Sequence, residues 1–211
     1  AELQPDLTLN VSTRVTARAR ERLAGALAFE LAPQMDVTAV RVDGQLVEVF
    51  RRESLRSNLI GNRVNDPFLI VLPAPFLPGT AHEIEFQHSG KVIRPAGNNV
   101  YFVAARTNWY PTRGFHFSKF DLTFRVPKAL SVVATGDIAE ETVEGEWRIA
   151  RRRTSAPVRM AGFNVGVYER VETNRAGFLV QVYANRSVEP ALQPRAQQVV
   201  IPQAGPAQRG A

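Results

Sequence analysis

Three histidines, His82, His88 and His116, are the side chains with the widest chemical range in this 211-residue chain. His82 and Glu83 open the string His-Glu-x-x-His. On a helix that string sets two imidazoles on one face, with a glutamate beside a metal-bound water. Phe86 stands where the second histidine is required, and His88 follows six residues after His82. In an extended strand that spacing is roughly 20 Å, too far for one metal. The expectation is two partly buried strand histidines. Cysteine is absent, which removes thiolate metal sites, cysteine nucleophiles and disulfides. No Gly-x-Ser-x-Gly elbow and no phosphate-cradling glycine loop occurs.

The other chemistry-bearing stretch is aromatic. Seven of the chain's aromatic residues fall between Tyr101 and Phe120, around Trp109-Tyr110-Pro111. Such rings can form a stacking platform for sugars or bases. They can equally fill a core, and the core reading is the stronger because Phe120 and Phe124 share one side of an alternating run.

The elements that must position these residues are strands. Leu7, Leu9, Val11 and Val15 alternate with polar neighbours, the period of a half-buried strand. Val40 and Val42 lead into Asp43-Gly44, and Leu46 to Phe50 leads away, a hairpin signal. Phe68 to Leu72 is a continuous apolar strand closed by prolines. His82, Ile84, Phe86 and His88 share one face. Phe120, Leu122, Phe124 and Val126 share another. Further strands are expected at 130–135, 147–151, 163–167 and 178–183. The segment 18–31 holds helix formers, with Leu23, Leu27 and Leu31 at helical spacing. It also alternates, and with strands on both sides it is expected to be a strand. Many short strands separated by Gly and Pro turns predict an all-β, multi-sheet β-sandwich.

The net charge is +6, which raises nucleic acid as a partner. The basic residues are scattered, however, and 23 are arginine. The densest group, Arg148, Arg151, Arg152 and Arg153, is expected to lie along a solvated strand edge, where charge opposes mispairing. The expectation is therefore no nucleic-acid partner. No apolar run nears the ~18 residues of a membrane span. Asn10-Val-Ser12 and Asn185-Arg-Ser187 match a glycosylation pattern too short to weigh. Residues 1–187 are expected to form the β-sandwich domain. Residues 188–211, dense in Pro, Gln and Ala, read as a disordered linker. The compartment stays open.

Several segments, in order, resemble the N-terminal domain of the zinc aminopeptidases of the membrane alanyl aminopeptidase and leukotriene hydrolase group. They are Ala105-Arg106, Trp109-Tyr110-Pro111, Phe120 to Pro127, Val132 to Gly136, Trp147, and Ala156 to Met160 running on to Glu169. The resemblance spans about residues 7–185. Thr112-Arg113-Gly114 replaces the Asp-Glu-Pro common in that family, which suggests a divergent, bacterial-type member. The resemblance implies a saddle-like β-sandwich packed on a catalytic domain that follows in the same polypeptide. That second domain would hold the zinc and the peptide substrate, leaving no cofactor in this chain. It also implies that Tyr101, five residues before Arg106, takes the place of a Gln or Glu that lines the substrate's amino-terminal pocket, which makes Tyr101 and Arg106 substrate-cleft candidates. The rival reading is a free-standing module that binds carbohydrate or protein. The isolated chain is expected to bind no zinc after chelator washing and to turn over no aminoacyl substrate. Metal analysis and a fluorogenic assay check this, and stoichiometric zinc would contradict it.

Overall fold

The computed structural model describes residues 1–23, 25–51, 65–104, 107–114 and 116–185. The expected linker at 188–211, and with it the proposed domain boundary, lies outside these residues.

Alternation in the sequence becomes a broad sheet in which apolar side chains line one face. Among the described residues it has eight strands. They run in the spatial order β13 (Asp137–Glu144), β14 (Trp147–Arg153), β11 (Asp121–Pro127), β1 (Glu2–Leu3), β2 (Leu9–Arg18), β8 (Ala81–Gly90), β4 (Met35–Val42) and β5 (Gln45–Leu46). All pairings in it are antiparallel except β1 with β11. A four-stranded sheet has the order β12 (Ser131–Ala134), β15 (Phe163–Gly166), β10 (Val100–Val103) and β9 (Ile93–Gly97). A three-stranded sheet has β3 (Ala26–Leu31), β7 (Asp66–Val71) and β6 (Val49–Phe50). The last described element is a two-stranded ribbon of β16 (Tyr168–Arg175) and β17 (Phe178–Asn185). The chain is all-β, as its patterning predicts. No helix among the described residues is long and apolar enough to cross a membrane.

Two aromatic clusters fasten the smaller sheets to the large one. Phe86 of β8 meets Phe29 of β3 edge-on at 4.9 Å between centroids and Phe68 of β7 at 6.1 Å. Phe124 of β11 lies 4.8 Å from Phe163 of β15 and 6.0 Å from Trp109. All six rings are buried, and such pairs add about 0.5–1.5 kcal/mol beyond the area they remove from water. The segment 18–31 resolves in favour of the strand. Leu27, Phe29 and Leu31 are buried on one face and pair with β7, so tertiary burial overrides helix propensity.

Asp43 and Gly44 both have positive φ, the conformation the two-residue hairpin turn requires. The strand after that turn is shorter than its sequence suggests. Gln45 and Leu46 pair with β4, Val47 donates one further hydrogen bond to the Val40 carbonyl, and the chain then crosses to the three-stranded sheet as β6. Leu7 likewise precedes its strand, in a turn at positive φ. Gly90 ends β8 where a Cβ would sit 1.9 Å from the Gln34 carbonyl oxygen.

The arginine group corrects an expectation. β14 is not an edge, because it lies between β11 and β13. On its outer side Arg151 and Arg153 both reach Asp121, at 2.7 and 2.9 Å. Hydrogen bonds from Arg151 first, and from Arg153, draw the Asp121 carboxyl down to about 2. On its inner side Arg148 and Arg152 share Glu141, at 2.8 and 3.1 Å. Arg152 is only 3% exposed, and it also donates to the carbonyl oxygens of Val132 and Arg151. These charges knit strands together.

Arg152→Ala strands the Val132 carbonyl and weakens the hold on Glu141. It should destabilise the domain by about 2–3 kcal/mol. Arg151→Ala, at an exposed and solvent-screened pair, should cost clearly less. Urea unfolding of the two variants measures the difference, and equal losses would contradict the assignment.

Candidate functional site

Trp109 and Tyr110 sit in a loop, yet they are fixed by hydrogen bonds that a sequence reading alone does not reveal. Trp109 donates from Nε1 to the Ala161 carbonyl at 2.9 Å, and the Ala161 amide donates to the Tyr110 hydroxyl at 3.1 Å. Ser118 and Val158 exchange backbone hydrogen bonds beside them. The aromatic-Pro step and the segment 156–162, about fifty residues apart, therefore form one staple. The Asn108–Thr112 turn is further tied to the end of β3 by Glu30 and Thr112, which exchange backbone hydrogen bonds. Burial pushes the Tyr110 phenol above its ordinary pKa. These rings belong to the core, as expected, and do not form a platform. Phe117 alone among the described rings of the stretch stands well out in solvent.

Tyr101 is the sequence-named candidate that meets open space. It sits mid-strand in β10, paired with Val165 on one side and Pro95 on the other. It is half-buried and packs on the core. It lines a shallow groove of about 320 Å³ with Leu3, Gln4, Asn99, Leu130 and Val167. The wall is chiefly apolar, with the Gln4 and Asn99 amides as polar points. That chemistry suits an apolar side chain next to a hydrogen-bonding group. Arg106, the second candidate, lies outside the described residues.

The histidines part company. His116 is exposed. His88 is buried and hydrogen-bonds Thr13 Oγ1 through Nε2 at 2.9 Å, while its Nδ1 meets no partner among the described residues. Desolvation lowers its pKa to about 4. His82 has an arrangement the sequence did not suggest. Its Nδ1 is 2.7 Å from Asp43 Oδ2, and its Nε2 is 2.7 Å from Thr80 Oγ1. Phe76 stacks flat on the ring at 3.5 Å between centroids. An Asp-His-hydroxyl series has the outline of a nucleophile triad. Here, however, Thr80 donates its proton to the Leu77 carbonyl at 2.6 Å, and a ring covers the imidazole. The group works as a clamp that joins the β4–β5 turn to the loop before β8. Asp43 also accepts from the Glu83 amide. Among the described residues no three ligating side chains converge, and these residues do not fit a zinc site.

No protein-family model matches the chain, and no curated protein matches it. Solved structures do. An M1 zinc metallopeptidase from Deinococcus radiodurans matches with a TM-score of 0.62 and 19% identity, over 83% of this chain and 42% of that one. A variant of that metallopeptidase bound to a Tyr-Ser-Ala substrate matches with a TM-score of 0.65 and 18% identity, over 90% and 46%. A two-domain M1 zinc metallopeptidase variant bound to L-tryptophan gives 0.62 and 18%, over 83% and 42%. The chain thus spans less than half the length of the structures it matches, and at this identity the likeness is one of fold.

His88 carries a pH dependence whose sign is determined. In the unfolded chain the imidazole binds a proton near its ordinary value of 6.5, and in the fold only near 4. The unfolded state therefore binds more protons in that interval. Its stabilising contribution is complete above pH 6.5 and is lost as the pH falls to 4, by on the order of 3 kcal/mol. His88→Leu should abolish that part of the slope. Urea unfolding of both proteins at pH 7 and pH 4.5 tests it, and parallel losses would contradict it.

Proposed function

We propose that this chain is the non-catalytic N-terminal domain of a zinc-metallopeptidase-like, aminopeptidase-like protein. It packs on a catalytic domain of the same polypeptide and forms one wall of the substrate cleft. The observation that carries this reading is the fold match to M1 zinc metallopeptidases over 83–90% of this chain but only 42–46% of theirs. The order of motif segments from Ala105 to Glu169 points the same way. In this reading the zinc and its ligands belong to the second domain, and the substrate is a peptide. The β-scaffold supplies rigidity, because a cleft residue must stay within about 0.5 Å of its productive position.

Tyr101 is the proposed contact. A phenol donates or accepts one hydrogen bond but carries no charge to pair with a peptide's ammonium group. Its role is to orient the amino-terminal residue beside the apolar wall of Leu3, Leu130 and Val167. Arg106 is the second proposed cleft residue.

The test uses the longer natural polypeptide that includes the following domain. It should carry one zinc per chain and release amino-terminal residues from short peptides. Tyr101→Phe removes one neutral hydrogen bond, worth about 0.5–1.5 kcal/mol, and should lower kcat/KM up to roughly tenfold without moving Tm. Unchanged kinetics would remove the hydroxyl's role. Absence of both zinc and peptidase turnover would remove the catalytic reading altogether.

A further inference from the structure

The β16–β17 ribbon is built inside out. Its register pairs Arg170 with Tyr183, Glu172 with Gln181 and Asn174 with Leu179 on one face. That mostly polar face turns toward its own domain. Arg170, Glu172, Leu179, Gln181 and Tyr183 line a recess of about 450 Å³ against β12 and the start of β13. Arg170 and Glu172 form an ion pair there. The opposite face pairs Val171 with Val182, Thr173 with Val180 and Arg175 with Phe178. Val171, Val182, Val180 and Phe178 are 69%, 56%, 47% and 75% exposed.

A half-buried sheet ordinarily turns its apolar face to its own core. Here the apolar face points away from the domain, and a two-stranded ribbon is at best marginally stable uncovered. Glu169 and Arg175 stand at opposite ends of the stripe. An apolar centre with a charged rim is the anatomy of a protein interface.

We infer that this outward face is the seat of the domain that follows in the same polypeptide. The inference rests on the reading under "Proposed function" and adds to it the surface used. Two observations select this occupant over a second copy. First, the ribbon is the last described element, and the sequence runs on for 26 residues after Asn185, so a following domain is tethered at the ribbon's own end. Tethering raises effective concentration enough for a small surface to suffice. Second, the face is small. Two strands about 26 Å long and about 5 Å apart present on the order of 200–400 Å². A specific dimer buries about 800 Å² on each partner.

The test compares the 211-residue chain with the longer natural polypeptide by hydrogen–deuterium exchange over residues 169–185. Exchange should slow at least tenfold when the following domain is present. Val182→Glu in the longer polypeptide should return it to the rate of the shorter chain. Val182→Glu in the shorter chain separates loss of docking from loss of the ribbon's fold: it should leave exchange there unchanged. A zinc-loaded, active longer polypeptide with no protection at 169–185, and no effect of Val182→Glu, would overturn this surface while leaving the catalytic reading standing. Protection without zinc or peptidase turnover would support the surface and overturn the catalytic reading. Concentration-dependent dimers of the shorter chain, abolished by Val182→Glu in sedimentation, would assign the face to a second copy and overturn the inference.

Discussion

Two aromatic contacts hold the architecture together: Phe86 against Phe29 and Phe68, and Phe124 against Phe163 and Trp109. Each joins the large sheet to a smaller one, and neither small sheet could bury its apolar side alone. The rest of the site geometry follows from these contacts. Phe163 places β15, β15 pairs with β10, and β10 holds Tyr101 over its groove. Trp109 carries the loop that hydrogen-bonds Ala161. A change at Phe163 would therefore reach Tyr101 through strand pairing, without touching it.

What the sequence made legible was whatever burial dictates. The inward faces of β2, β8 and β11 could be read from their apolar alternation, and 18–31 could be read once its neighbours were strands. What escaped has a different cause. β13 is wholly exposed and has no apolar period to read. It is specified by Glu141 engaging Arg148 and Arg152 across the strand pair. For the same reason the arginine cluster reads as an edge in sequence and is an interior strand in the fold. β16 escaped because Val171 is its one aliphatic residue, too little to set an apolar period.

The candidate site was legible only in part. Tyr101 was named through its distance from Arg106 and does line a groove, while the Gln4 and Asn99 beside it come from distant segments that no local pattern connects. The Asp43–His82–Thr80 clamp was invisible in sequence because Asp43 lies in the β4–β5 turn, about forty residues from Thr80 and His82 at the start of β8. Its geometry also shows why a triad outline is not a triad. The hydroxyl proton is committed to Leu77, and the imidazole face is covered by Phe76.

In the proposed reading, the outward apolar ribbon and the Tyr101 groove are the surfaces that would meet a second domain. The most direct test is a crystal structure of the longer natural polypeptide. The account predicts a zinc-bearing domain seated on the Val171–Val182 face, with the Tyr101 groove open to its metal cleft. A ribbon facing solvent in that structure, with Tyr101 remote from any metal, would contradict it.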